Sequence, residues 1–207
     1  MIYFNFLGVK FGVTVGFFGI ICLMLYIDKS GLMLPTLLST IIHEFGHLLA
    51  LLLLKFKPQK VILKVGAVSI VGRFNLTTLG ELFLNFAGPF INLILFLFFW
   101  YVRRFLAPPF ITNFALINLV LGIFNLLPVM GLDGGSILYL LLAKKLKHNA
   151  LNLTCLLLSL STAVFILFFG VNIFINTKTN PSLILLGLYL ILSILISKKQ
   201  KNYCNIY

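Results

Sequence analysis

The sequence predicts an all-α integral membrane protein with about six transmembrane helices. Hydrophobic residues make up 61% of its 207 residues, charged residues only 10%, and the mean hydropathy is +1.13. Apolar stretches of about 20 residues, the length that crosses a bilayer, recur along the whole chain. We expect the spans at Phe6–Ile27, Leu32–Leu54, Leu79–Tyr101, Ile111–Ala143, Leu151–Ile175 and Ser182–Ile196.

The fourth span and the segment after the second one depart from this simple pattern. The fourth is too long for one straight crossing and contains Pro128, Gly131, Gly134 and Gly135. Because proline cannot continue the helical hydrogen bonding, we expect this span to be broken. The segment Gln59–Arg73 is rich in β-branched residues and too short and charged for a span. It therefore predicts a short β-hairpin between spans 2 and 3.

The basic residues indicate how the chain lies in a membrane. The net charge of +12 comes from 16 lysines and arginines against four acidic residues. No basic face with interleaved aromatic residues lies outside the spans, which excludes nucleic acid as a partner. Most of the lysines fall on one side when six spans alternate, so both termini are expected to be cytoplasmic. The abundance of Lys, Asn, Ile and Phe is typical of an AT-rich bacterial genome and hence of a bacterial cytoplasmic membrane.

Ionisable residues inside the apolar stretches are the first candidates for chemistry. Glu44 and Asp133 lie in such stretches, where an ionised side chain costs about 3 kcal/mol unless it is paired or bound to a metal. His43 and His47 flank Glu44 in the motif His-Glu-Phe-Gly-His. Residues i and i+4 share a helix face, so both imidazoles can bind one metal ion while Glu44 activates water beside it.

A catalytic zinc site needs a third protein ligand and one open position. Asp133 is the acidic residue that lies in an apolar context far from the histidines, and Pro128 with its neighbouring glycines would let its segment turn towards the metal. Two alternatives remain open: an ordinary turn at Leu-Asp-Gly-Gly, and histidines that merely pack between helices. A membrane zincin with a glutamate as third ligand would have to use Glu81.

Two stripes of small and polar residues could line a cleft. One stripe has Glu81, Asn85, Gly88 and Asn92, and the next span has Asn118, Gly122 and Asn125. Small residues let helices approach closely and buried amides link them, so much of this pattern is expected to be structural. The hypothesis for Asn92 and Asn125 is that one of them hydrogen-bonds the substrate backbone or the oxyanion.

Three motifs resemble those of the site-2 protease family of intramembrane zinc metalloproteases. They are the His-Glu-x-x-His motif, Ala87-Gly88-Pro89-x-x-Asn92 and Asn125-x-x-Pro128-x-x-x-Leu132-Asp133-Gly134. By this resemblance His43, His47 and Asp133 are the ligands of one Zn²⁺ per chain, and Glu44 is the catalytic base. The resemblance also implies membrane-spanning or membrane-associated protein substrates and membrane proteins as regulators.

The resemblance covers residues 32–143, which we expect to be the catalytic core of a single domain over residues 1–207. Spans 6–27, 151–175 and 182–196 would be accessory. The early motif, the six spans and the lack of an inserted PDZ domain are similar to the sporulation branch, whose protease activates a membrane-tethered sigma-factor precursor. Because the sequence stops at Tyr207, we expect it to lack the CBS domain of that protease. The alternative functions are a catalytically inactive protease-like membrane binder and a metal transporter.

Overall fold

The computed structural model describes residues 2–6, 9–13, 19, 22–23, 25–56, 60–64, 67–71, 76–106, 108–178 and 181–199. The helices are α1 (Met33–Leu53), α2 (Thr78–Val102), α3 (Pro109–Asn125), α4 (Asp133–Ala143), α5 (His148–Thr177) and α6 (Ser182–Lys199). The strands are β1 (Ile2–Phe6), β2 (Val9–Val13), β3 (Lys60–Lys64) and β4 (Ala67–Val71). The chain divides into two compact units, residues 1–123 and 124–206.

A four-stranded sheet in the first unit makes the prediction of an all-α fold with an isolated hairpin wrong. The strand order is β1-β2-β3-β4, with antiparallel outer pairs and a parallel pair of β2 and β3 in the middle. The hairpin of β3 and β4 is thus one half of a larger sheet. The predicted first span also fails at its beginning, because β2 occupies part of it. Mean hydropathy counts apolar residues over a window and does not distinguish a strand from part of a span. Asn5, Lys10 and Gly12 interrupt the apolar residues here, as polar and small residues do in strands.

Six helices of membrane-spanning length are not found among the described residues, and part of the first predicted span, including residues 14–18, 20–21 and 24, lies outside them. Among the described residues, only α1, α2 and α5 are long and apolar enough to cross a membrane. The predicted fourth span consists of α3 and α4, separated by residues 126–132, and both are shorter apolar helices, as is α6. Pro128 and the glycines around it account for this division. Proline lacks the backbone N–H that a continuous helix needs, and glycine loses more conformational entropy in a helix than other residues do.

In the first unit, close backbone approach and a side-chain hydrogen bond hold the helices together. A Cβ added to Gly46 of α1 would lie 2.8 Å from the Ala87 carbonyl oxygen of α2. Asn118 of α3 donates from Nδ2 to Ser39 Oγ of α1 at 2.9 Å. Between α1 and α2, the side chains of Ala50, Leu51 and Leu84 form a buried cluster. These contacts fix α1 against both of its neighbours.

The N-terminus of α1 is held by Asp28, which lies in the loop before the helix. The Oδ2 atom of Asp28 accepts the Met33 backbone N–H at 2.8 Å, and its Oδ1 atom accepts bonds from Ser30. Hydrogen bonds from the Ser30 side chain and then from the Met33 backbone lower the pKa of Asp28 below its ordinary 3.8. A carboxylate at this end also interacts favourably with the positive end of the helix dipole, so α1 begins at a well-defined place.

In the second unit, α5 and α6 pack backbone to backbone. A Cβ added to Gly187 of α6 would lie 2.9 Å from the Leu167 Cα atom of α5, and one added to Gly170 would lie 2.9 Å from the Ile184 backbone nitrogen. Small residues at such positions give membrane helices their van der Waals contact. A buried cluster of Val129, Ala163, Leu190 and Ile194 continues this interface to the loop before α4.

We predict that Gly187→Ala destabilises the protein by about 1–3 kcal/mol, the usual cost of overpacking. The added methyl group would meet backbone atoms of Leu167, which cannot turn aside as a side chain can. Thermal unfolding in detergent measures the effect. The matched control is Gly80→Ala, whose added Cβ meets nothing closer than 3.5 Å. Equal shifts for the two variants would contradict the prediction.

Candidate metal centre

The candidate site is built on the buried face of α1. That face contains Pro35, Ser39, His43, Gly46, His47, Ala50 and Leu51. The spacing of three and four residues puts all of them on one side of an α-helix. His43 and His47 are only 5% and 8% exposed in a helix that is otherwise apolar. Glu44 follows His43 directly and is half-buried at the side of this face.

The two imidazoles converge through their Nε2 atoms. These atoms lie 3.2 Å apart, and the rings stand nearly perpendicular, at 79°. His47 donates from Nδ1 to the Leu84 carbonyl oxygen at 2.8 Å. In a neutral imidazole only one nitrogen carries a proton, so this bond leaves the His47 Nε2 lone pair available to a metal. Two nitrogen ligands of one tetrahedral zinc ion lie about 3.3 Å apart, which agrees with the observed separation.

Gly88 of α2 makes room for this pair. A Cβ atom at position 88 would collide with His47 Nε2 and would lie 2.8 Å from His43 Nε2. Any other residue would therefore place a side chain where the two nitrogens converge. The sequence singled out Gly88 as a small residue in a stripe and as part of a family motif, but a one-dimensional pattern does not show what a side chain there would meet.

Asp133 belongs to the second unit and is the first residue of α4. It is half-buried, and a carboxylate in the first turn of a helix is stabilised by the helix dipole. The chain reaches it through Gly131, whose φ of 96° favours glycine, and through an extended Leu132. His43 and His47 lie in the first unit and Asp133 in the second, and each of the three is of a residue type that can bind zinc.

The two asparagines suggested by the sequence lie in different surroundings. Asn92 is fully buried on α2, one turn beyond Gly88, and neither of its amide atoms has a hydrogen-bond partner among the residues that the structure describes. Asn125 is half-buried at the last residue of α3. Asn118 is fully buried as well, and its Nδ2 atom donates to both Ser39 and the Phe114 carbonyl oxygen. Ser39 was not predicted from the sequence, although its position one turn before His43 places it on the same helix face.

Comparisons with known proteins show which proteins this chain is similar to. Residues 105–170 match the peptidase family M50. A curated zinc metalloprotease of Methanocaldococcus jannaschii is 30% identical over 157 residues, which are 73% of this chain and 44% of the relative. The chain thus spans less than half the length of that relative.

A solved structure is similar over nearly the whole chain. It is the site-2 protease from Methanocaldococcus jannaschii, with a TM-score of 0.68, 25% identity and 93% of each chain covered. This likeness extends the family match well beyond residues 105–170. Together with the His-Glu-x-x-His motif on a buried helix face, these likenesses support the assignment of the chain to the site-2 protease family, peptidase family M50.

Proposed function

We propose that the chain is an intramembrane zinc metalloprotease that hydrolyses peptide bonds of membrane-embedded or membrane-associated proteins. The observation that carries this proposal is the 3.2 Å separation of two buried Nε2 atoms beside Glu44 in an apolar helix. Polar residues in a membrane helix are costly, and such residues usually mark a functional site. A pair of metal-binding imidazoles next to a carboxylate is the arrangement that metalloproteases need.

The proposed metal is one Zn²⁺ per chain, with His43, His47 and Asp133 as its ligands. Two neutral imidazoles and one carboxylate are the donors that catalytic zinc prefers, and three protein ligands leave a fourth position for water or substrate. The hydrogen bond from His47 to the Leu84 carbonyl oxygen is of the kind that orients a metal-binding histidine. Asp133 would bring the single negative charge of the ligand set.

The proposed catalytic base is Glu44. When bound, zinc lowers the pKa of water to about 7 and polarises the scissile carbonyl group. The Glu44 carboxylate would take the proton of the attacking water and later deliver it to the leaving amine. Because Glu44 follows His43 on α1, its carboxylate lies beside the face that bears the imidazoles and not on it.

Asn92 and Asn125 are proposed to bind the substrate backbone or the oxyanion. The support for Asn92 is its burial without any protein hydrogen-bond partner, since a buried amide otherwise finds one. It lies one turn from Gly88, which faces the two imidazoles. An amide in that place could donate to an oxygen that becomes negative during peptide hydrolysis.

The finer expectations about the biological setting also remain proposals. Both termini are proposed to be cytoplasmic, in a bacterial cytoplasmic membrane, because most of the loop lysines would then lie on that side. The proposed partners are a membrane-spanning or membrane-associated substrate and membrane proteins that regulate cleavage. A sigma-factor precursor of sporulation is the specific substrate suggested by the motif pattern. Substrates trapped by a Glu44→Gln variant and identified by mass spectrometry would test this choice.

We predict that His43→Ala and Asp133→Ala each abolish stoichiometric zinc, whereas Glu44→Gln keeps it. The first two remove a ligand, and the third removes only the proton acceptor. The zinc content of purified, detergent-solubilised protein is measured by atomic emission. Peptide cleavage is measured with a library of single-span model peptides. Glu44→Gln should lower cleavage by about a hundredfold or more, within the range of general acid–base catalysis.

The same variants separate the protease from its alternatives. A metal transporter has no need of a base and would keep most of its flux after Glu44→Gln. An inactive binder would cleave no peptide even as the wild type. Full zinc content and full activity in Asp133→Ala would contradict the proposed ligand set.

We predict that Gly88→Ala lowers zinc content at least tenfold, because its methyl group occupies the place where His43 and His47 Nε2 converge. Gly80→Ala on the same helix serves as the control, since its methyl group meets only ordinary contacts. Both variants are compared by zinc per folded protein and by thermal unfolding. Unchanged zinc in a folded Gly88→Ala protein would mean that the imidazoles do not hold the metal in this geometry.

We predict that Asn92→Ala lowers turnover per bound zinc by about a hundredfold, the usual loss when one oxyanion donor is removed. Asn118→Ala is the matched control, because its Nδ2 atom is already occupied by Ser39 and the Phe114 carbonyl oxygen. That variant should lower the unfolding temperature and leave turnover per zinc nearly unchanged. A loss of folded yield alone in Asn92→Ala would exclude the proposed role.

A further inference from the structure

Asp133 depends on an irregular segment, residues 126–132, for its position. This segment joins α3 to α4 and provides few backbone hydrogen bonds of its own, such as Leu132 N–H to the Val129 carbonyl oxygen at 3.0 Å. Irregular backbone at membrane depth is tolerated only where the protein satisfies its polar groups. The question is therefore which groups hold the segment in place.

Ser159 of α5 is one of these groups. Its Oγ atom accepts the Met130 backbone N–H at 2.9 Å. The single hydroxyl proton is directed to the Cys155 carbonyl oxygen at 2.7 Å, with the Pro128 carbonyl oxygen at 3.3 Å. Ser159 is only 1% exposed, so water does not compete for these bonds. One hydroxyl group thus contacts the segment on both sides of Val129.

The other hydroxyl groups of α5 differ from Ser159. Thr154, Ser161 and Thr162 each donate to a carbonyl oxygen of the same helix three or four residues earlier. That bond is the usual one for serine and threonine in a helix interior. The bond that Ser159 accepts from Met130 connects α5 to a different part of the chain. A serine whose hydroxyl group bonds only within its own helix makes no such connection.

A shift of the segment is transmitted to Asp133 by direct backbone contact. Val129 is fully buried in the cluster with Ala163, Leu190 and Ile194. A Cβ atom on Gly135, in the first turn of α4, would collide with the Val129 carbonyl oxygen, and one on Gly134 would collide with that of Leu126. The first turn of α4 therefore lies on the backbone that Ser159 holds.

We propose that Ser159 is a positioning residue for Asp133. By accepting the Met130 N–H it fixes the segment on which α4 begins, and so fixes where the Asp133 carboxylate is presented to the metal. The inference rests on the proposed function for the role of Asp133 as a ligand. It also assigns α5, expected from the sequence to be accessory, a supporting part in the proposed metal centre.

The first test measures the segment itself and needs no metal. Amide hydrogen exchange is followed by mass spectrometry in peptides that contain residues 126–132. Ser159→Ala should speed exchange there about tenfold or more, because Met130 N–H loses its acceptor. Ser161→Ala, which changes an exposed serine two residues away, should leave exchange in that segment unchanged. Equal exchange in the two variants would overturn the proposal.

The second test measures zinc affinity by competition with a chelator, together with the unfolding temperature. Ser159→Ala should weaken zinc binding about tenfold, as the loss of a supporting interaction around a metal site does. Ser159→Cys, which keeps the size but is a poor hydrogen-bond acceptor, should fall between wild type and alanine, and it replaces the alanine variant should that one not fold. Ser161→Cys is its control.

The outcomes separate this proposal from the proposed function. A wild-type protein without zinc would overturn the function and the ligand role of Asp133, while hydrogen exchange would still decide whether Ser159 holds the segment. Faster exchange and a lower unfolding temperature with unchanged zinc affinity would show a structural role only and would overturn the positioning. Faster exchange with weaker zinc binding supports it.

Discussion

The structure depends above all on bringing two imidazole nitrogens together inside an apolar helix. Their lone pairs repel each other at 3.2 Å unless a cation or a shared proton lies between them. The hydrogen bond from His47 to the Leu84 carbonyl oxygen fixes one of the two rings and so sets the direction of its lone pair. The other features of the first unit, from the capped start of α1 to the absent side chain at Gly88, maintain this convergence.

Glycine residues, which have no side chain, set how closely backbone segments approach each other in both units. In the first unit, Gly46 and Gly88 let the backbones of α1 and α2 come close enough for a carbonyl oxygen of one helix to reach a ring of the other. In the second unit, Gly134 and Gly135 let α4 rest on the preceding segment. Backbone contacts of this kind leave little freedom to adjust, since interiors are close-packed and a displaced backbone must move whole elements.

The closeness of the two imidazoles could be predicted from the sequence, whereas the contacts between elements could not. Residues four apart must share a helix face, so the convergence of His43 and His47 followed from their spacing. The pairs that β2 makes with β1 and β3 were not predicted, because β2 is apolar enough to resemble part of a span. The bonds from Asn118 to Ser39 and from Met130 to Ser159 join residues distant in the chain, and a single sequence contains no signal for such pairs.

The parallel pairing of β2 and β3 has a consequence for biogenesis. It pairs Lys10 with Lys60, and the whole of α1 lies between these two residues in the sequence. Contacts so distant in the chain form late, because the entropy of closing the loop must be overcome first. Until β3 emerges, β2 presents an open edge that could pair with another nascent chain. The sheet can therefore be completed only after the helix that bears the two histidines has been synthesised.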